Sequence, residues 1–169
     1  MLVLACCAGM WSKPSGSLRS AMVIAGVVAV FAFVSYGAEA ARQTGTKAPE
    51  TIAVNGQPYA LAHGKVLLFF FNPLCTHCLD SAKRMSAYQW GSTRIVVIPV
   101  EQAIYADAFL KEAGLKALVT SDFDKLKQVF GYTAYPFAVA VENGREKAAI
   151  TRFENDEPRT TLKQLGFIQ

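Results

Sequence analysis

The architecture of this chain is set by Val66-Leu67-Leu68-Phe69-Phe70-Phe71-Asn72-Pro73-Leu74-Cys75-Thr76-His77-Cys78. Val66–Phe71 is an unbroken apolar run of strand length, which reads as a strand buried on both faces inside a covered sheet. Asn72-Pro73 ends it, because proline cannot donate to a ladder. From Cys75 to about Trp90 the chain carries good helix formers without Pro or Gly. Cys78, Ala82 and Met85 fall on one face, and Gly91 stands where a C-terminal cap belongs. Two cysteines three residues apart therefore open a helix directly after a buried strand.

On the N-terminal side, Thr51–Val54 and Gln57–Leu61 flank Asn55-Gly56, the strongest short hairpin signal. On the C-terminal side, Arg94–Val100 reads as a second buried strand, Ile104–Ala113 as a helix ended by Gly114, and Leu115–Thr120 as a short strand. Asp122 is placed to cap a helix on which Phe123, Leu126, Val129 and Phe130 recur at helical spacing, ended by Gly131. Pro136–Val141 and Ala148–Phe153 flank Asn143-Gly144, a second hairpin. A last helix starts near Asp156, with Pro158 in its first turn and Leu162 and Leu165 inward. Strands alternating with helices, then a hairpin and a closing helix, specify an α/β fold: a mixed central sheet flanked by helices, with an N-terminal hairpin extension.

The 169 residues are 52% apolar and 18% charged. The excess is local: 27 of the first 40 residues are apolar, against 61 of the remaining 129, the latter an ordinary globular proportion. Lys13 and Arg19 precede an uncharged run over 21–34, and Ala38 and Ala40 form an A-x-A arrangement. Basic, then apolar, then small is the export-signal order. Residues 1–40 are thus expected to be a signal peptide or, through 21–38, an uncleaved membrane anchor. Residues 41–50 follow as a linker and 51–169 as one domain. Met1–Gly9 lies ahead of the basic region, so Met10 reads as the working start, and Cys6 and Cys7 leave with the signal. One domain's worth of chain excludes a multidomain, disordered or polytopic membrane protein. Past residue 40, 15 Lys/Arg stand against 12 Asp/Glu without any basic run, which excludes a nucleic-acid footprint.

The chemistry is concentrated in Cys75-Thr76-His77-Cys78. At a helix start the unpaired N–H groups and the positive end of the dipole favour a thiolate. Cys75 is therefore the expected exposed nucleophile and Cys78 the shielded resolving thiol. Thr76 and His77 are the tuning residues, since a protonated His77 stabilises the Cys75 thiolate and moves the couple toward oxidation. A purely structural disulfide is a poor alternative, because so small a ring removes little chain entropy from the unfolded state. Zinc needs about four ligands, whereas the chain past residue 40 offers Cys75, Cys78, His63 and His77, with no Cys or His after Cys78. No metal site and no cofactor beyond the Cys75–Cys78 couple is expected.

Gly45–Phe167 resembles a thioredoxin-like domain, most closely the exported TlpA-like thiol:disulfide oxidoreductases. The resemblance rests on Lys47-Ala48-Pro49-Glu50 with its hairpin, on Val66–Cys78, and on Gly131-Tyr132-Thr133-Ala134-Tyr135-Pro136 before Phe137-Ala138-Val139. It implies the three-layer thioredoxin-like fold, with Pro136 as a cis-proline packed against the disulfide and the Tyr135 backbone pairing with an extended substrate. It also implies dithiol–disulfide exchange with protein substrates outside the cytoplasm, in the reductase direction, served by a membrane electron donor or acceptor. The opposite direction, a thiol oxidase, is what His77 argues for. Three departures stand out. Leu74 replaces the usual aromatic, Thr76 replaces proline, and Phe69 occupies the position of the buried acid that assists the resolving cysteine in thioredoxin. Asp80, two residues past Cys78, is expected to face elsewhere, and Glu101 is expected to be a solvated strand-end carboxylate. A peroxiredoxin-like peroxidase would need Thr or Ser three residues, and Pro seven residues, before its cysteine. Asn72 and Leu68 precede Cys75 at those offsets, and Cys75 and Phe71 precede Cys78. A metal-binding module is the non-enzymatic alternative.

Overall fold

The structure, a computed structural model, describes residues 45–169. The expected signal or anchor, and Cys6 and Cys7 within it, lie outside the described residues.

Strands β1 (Thr51–Val54) and β2 (Gln57–Ala60) form the N-terminal hairpin. The main sheet has the order β5 (Leu118–Val119), β4 (Arg94–Pro99), β3 (Lys65–Phe71), β6 (Phe137–Glu142), β7 (Arg145–Ile150). Strands β3, β4 and β5 run parallel, and β6 and β7 run antiparallel to their neighbours. Among the described residues, four helices flank it: α1 (Thr76–Ser86), α2 (Ala106–Ala113), α3 (Phe123–Phe130) and α4 (Arg159–Gln164).

The apolar run occupies the sheet centre for the reason its composition implies. Leu67, Phe69 and Phe71 point into a core built with α1, α2, Leu162 of α4, Phe153 and Phe167. Val66, Leu68 and Phe70 point into a second core with the hairpin and α3. All six are at most 1% exposed, and each such burial contributes about 1.5–3 kcal/mol. Both Asn-Gly pairs adopt positive φ at both positions (50° and 75° at Asn55-Gly56, 50° and 74° at Asn143-Gly144), which is what a two-residue hairpin turn matching strand twist requires. Of the lead-in, Ala48 is buried and donates its N–H to the Gly144 carbonyl at 2.9 Å.

Several boundaries differ from the sequence expectation. Helix α1 stops at Ser86 rather than near Trp90, because its last carbonyls are taken early: the Met85 carbonyl accepts from the Tyr88 N–H (3.1 Å) and the Trp90 indole (2.9 Å). Ala103–Tyr105 is a separate 3-10 turn ahead of α2. The strand expected over Leu115–Thr120 is confined to Leu118–Val119. Strand β7 begins at Arg145 instead of Ala148, directly opposite Glu142; its charged residues suit a sheet edge and mask the strand pattern. The final helix begins at Arg159 instead of Asp156, since the residue before a proline is disfavoured in the helical region. The Glu157 carboxylate then accepts from the Thr161 hydroxyl at 3.1 Å. Asp122 makes no cap bond; its carboxylate instead accepts the Ala53 N–H at 2.9 Å, tying the hairpin to α3.

Topology places the site. Because β3 and β4 run parallel, Asn72 and Glu101 leave the sheet at the same end, with the Val100 N–H donated to the Phe71 carbonyl at 2.9 Å. Because β6 runs antiparallel and starts with Phe137 opposite Phe70, Tyr135 and Pro136 enter at that end too.

Candidate functional site

Cys75 is the N-cap of α1. Its backbone is extended, and its sulfur accepts the Cys78 N–H at 3.3 Å. It is half-buried, whereas Cys78 is fully buried among Ala82, Met85 and Phe71, and both thiols are free. The apolar face of α1 requires this: Cys78, Ser81, Ala82 and Met85 face the sheet, so the cysteine one turn earlier remains at the rim.

Burial is the main reason that the Cys78 thiol is pushed up to about 12. A hydrogen bond from the Asn72 backbone pulls it down, while the hydrogen bond and charge of Cys75 push it further up. A buried thiol under a rim thiol can close and open a disulfide, and the buried partner stays protonated until the outer sulfur has reacted.

A cleft of about 780 Å³ opens over the rim thiol. Cys75 and His77 form one wall, Tyr135 and Pro136 another, and residues 151–155 after β7 a third. The structure thus brings Cys75, His77, Tyr135 and Pro136 into one cleft, with Cys78 beneath. Thr76 is exposed but lies outside the lining. The Tyr135–Pro136 bond is cis. Asp80, expected to face elsewhere, lines the cleft with Arg84, because positions 77, 80 and 84 share one stripe of a helix. Arg84 donates to the Phe153 carbonyl and, at 3.3 Å, to that of Asn155, holding the third wall against α1.

Phe69 has no exposure, stacks on Phe71 at 5.9 Å and packs against Phe153 at 5.7 Å, so the position of the missing acid belongs to the core. Glu101 is exposed, yet it is not simply solvated: its carboxylate accepts the Asn72 side-chain N–H at 3.0 Å. The same amide donates to the Tyr135 hydroxyl at 3.2 Å, and its oxygen accepts the Leu74 N–H at 2.9 Å. Tyr132 stacks on Phe70 at 5.3 Å; burial first, then Tyr135, Cys78 and Glu101, push its hydroxyl up to about 12. Sequence reasoning missed Asn72 and Tyr132. The only signal for Asn72 was a polar residue wedged between a buried strand and a proline. Among the described residues, no three Cys, His, Asp or Glu side chains converge as a metal site would require.

Neither a protein-family model nor a curated protein sequence matches the chain. Solved structures do. The thioredoxin domain of a thiol-disulfide oxidoreductase from Bacteroides vulgatus superposes with a TM-score of 0.57 at 17% identity, covering 72% of this chain and 96% of that one. A secreted Mycobacterium tuberculosis disulfide oxidoreductase, described as homologous to E. coli DsbE, gives 0.56 at 16% identity, covering 68% and 91%. StoA from Bacillus subtilis gives 0.53 at 13% identity, covering 67% and 94%. Likeness of this kind establishes the fold, which is thioredoxin-like.

Proposed function

We propose that this thioredoxin-like chain is an extracytoplasmic thiol-disulfide oxidoreductase acting on protein disulfides, with reduction as its working direction. The observation that carries the reading is Cys75: a rim thiol capping α1 over a fully buried Cys78, in a cleft shared with Tyr135 and Pro136.

In the proposed cycle the Cys75 thiolate attacks a substrate disulfide. A Cys75–substrate S–S bond forms as the substrate's own S–S bond breaks, and the departing sulfur leaves as a thiolate that takes up a proton. Cys78 then gives its proton to solvent and attacks the Cys75 sulfur. The substrate's second thiol is released, and the Cys75–Cys78 disulfide carries the two electrons' worth of oxidation. The hydrogen bond and charge that Cys75 directs at Cys78 are lost once Cys75 is bonded to substrate, so the resolving thiol becomes easier to ionise when it must attack. The Tyr135 backbone would align the substrate chain, and Thr76 and His77 would tune the nucleophile. The couple needs no other cofactor. A membrane-held thiol donor would return it to the dithiol.

Export is supported by the basic, apolar, small-residue order of the first 40 residues and by the secreted character of one structural neighbour. Direction is tested by the equilibrium potential: a value near about −270 mV supports the reductase and one near about −120 mV the oxidase that His77 favours. The decisive experiment is a Cys78→Ser variant mixed with extract of its natural source. Mixed disulfides through Cys75 are expected, and retention of wild-type activity without any trapped species overturns the assignment.

A further inference from the structure

Four polar residues are buried among the described residues, Asn72, Ser81, Thr93 and Thr120. Asn72 stands at the dithiol, and its bonds reach three separate segments. Its carbonyl accepts the Cys75 N–H at 3.0 Å, and its side-chain oxygen accepts the Leu74 N–H at 2.9 Å. Its amide nitrogen donates to Glu101 Oε2 at 3.0 Å and to the Tyr135 hydroxyl at 3.2 Å. The Asn72 backbone also acts on the Cys78 thiol, pulling it down against the effect of burial. Both donors of the amide and one side of its acceptor are thereby used, a combination that neither aspartate nor leucine could supply from so short a stem. One turn touches both cysteines, and its side chain is bonded to the tyrosine that precedes Pro136.

We propose that the Asn72 side chain is a positioning residue for the thiol pair. It locks the turn whose carbonyl holds the Cys75 N–H and ties that turn to Tyr135, so that the segment along which a substrate chain lies and the helix start that carries the thiols are held as one unit. Glu101 anchors the amide from the β4 side. The inference rests on the thiol-disulfide exchange reading above and assigns no chemical step to Asn72 itself.

The test uses the reduced full chain and an aromatic disulfide, 5,5′-dithiobis(2-nitrobenzoate). Attack by Cys75 releases one thionitrobenzoate and leaves the other bonded to Cys75. Attack by Cys78, whose proton goes to solvent, releases the second and closes the Cys75–Cys78 disulfide. Asn72→Asp keeps the acceptor for Leu74, loses both donors and sets a carboxylate against Glu101. The second release is expected to slow by about tenfold, and the first much less. Adding Glu101→Gln restores a donor–acceptor pair with its direction reversed, and the second release is expected to return to near the wild-type rate. An unchanged second release in Asn72→Asp, or equal slowing in the single and double variants, overturns the proposal. Should Asn72→Asp fail to fold, Glu101→Ala and Tyr135→Phe each remove one bond from the rim; severalfold slowing of the second release is expected in both, and wild-type rates in both overturn it. A wild-type chain that gives no second release would instead refute the exchange reading.

Discussion

The resolving thiol makes a sharp kinetic prediction. Cys78 has no exposure, and its thiol is pushed up to about 12, with burial the first cause and the hydrogen bond and charge of Cys75 adding to it. In a mixed disulfide the Cys75 contributions vanish but burial remains, so the Cys78 thiol still ionises above the ordinary cysteine value of about 8.5. Well below its pKa the thiolate fraction rises tenfold per pH unit, which is roughly a hundredfold between pH 5.5 and pH 7.5. In stopped-flow measurements of the second thionitrobenzoate release, the logarithm of the rate should climb with unit slope at neutral pH and still be rising at about pH 8.5. A rate already half-maximal at or below about pH 8.5 would refute the argument that burial governs resolution.

Other outcomes follow from the packing. Phe69→Ala removes a ring held between Phe71 and Phe153 and should cost about 3–5 kcal/mol in urea unfolding; a cost below about 1 kcal/mol would contradict its place in the core. Asp122→Ala deletes the acceptor of the Ala53 N–H and should cost about 1–2 kcal/mol, with faster amide exchange at Ala53 as its local signature. Cys78 also links folding to pH. Its thiol is raised in the folded state to about 12, above the unfolded value of about 8.5. The stability it contributes is therefore complete below that lower value and lost as pH climbs toward the upper one. Urea midpoints of the wild type should fall more steeply over this window than those of Cys78→Ala, and parallel curves would count against the linkage.

What could be read from residues alone was whatever short-range physics settles. Val66–Phe71 announces itself because a central strand needs no polar face, and both Asn-Gly turns do so because few other pairs tolerate two positive φ values in succession. Cys75 and Cys78 separate into rim and floor because one apolar stripe of α1 points at the sheet. The features that escaped depend on partners distant in sequence. Nothing near Ser86 predicts the helix end, which the Trp90 indole helps to set. The Arg145–Ile150 strand hides behind charges that make sense only at a sheet edge. Asp122 looks like a cap until the hairpin, 69 residues away, claims its carboxylate. Asn72 looks like a loop residue until β4 and the Tyr135 segment arrive beside it.

The Cys75 sulfur holds two posts: it accepts the Cys78 N–H that opens α1, and it is the atom that reacts. Each change in its bonding therefore alters the electron density offered to a backbone amide, so the Cys78 amide resonance becomes a built-in reporter of turnover. The same coupling constrains redesign. Replacing the cap to strengthen the helix silences the chemistry, and any retuning of the nucleophile must also be acceptable as the first turn of the helix.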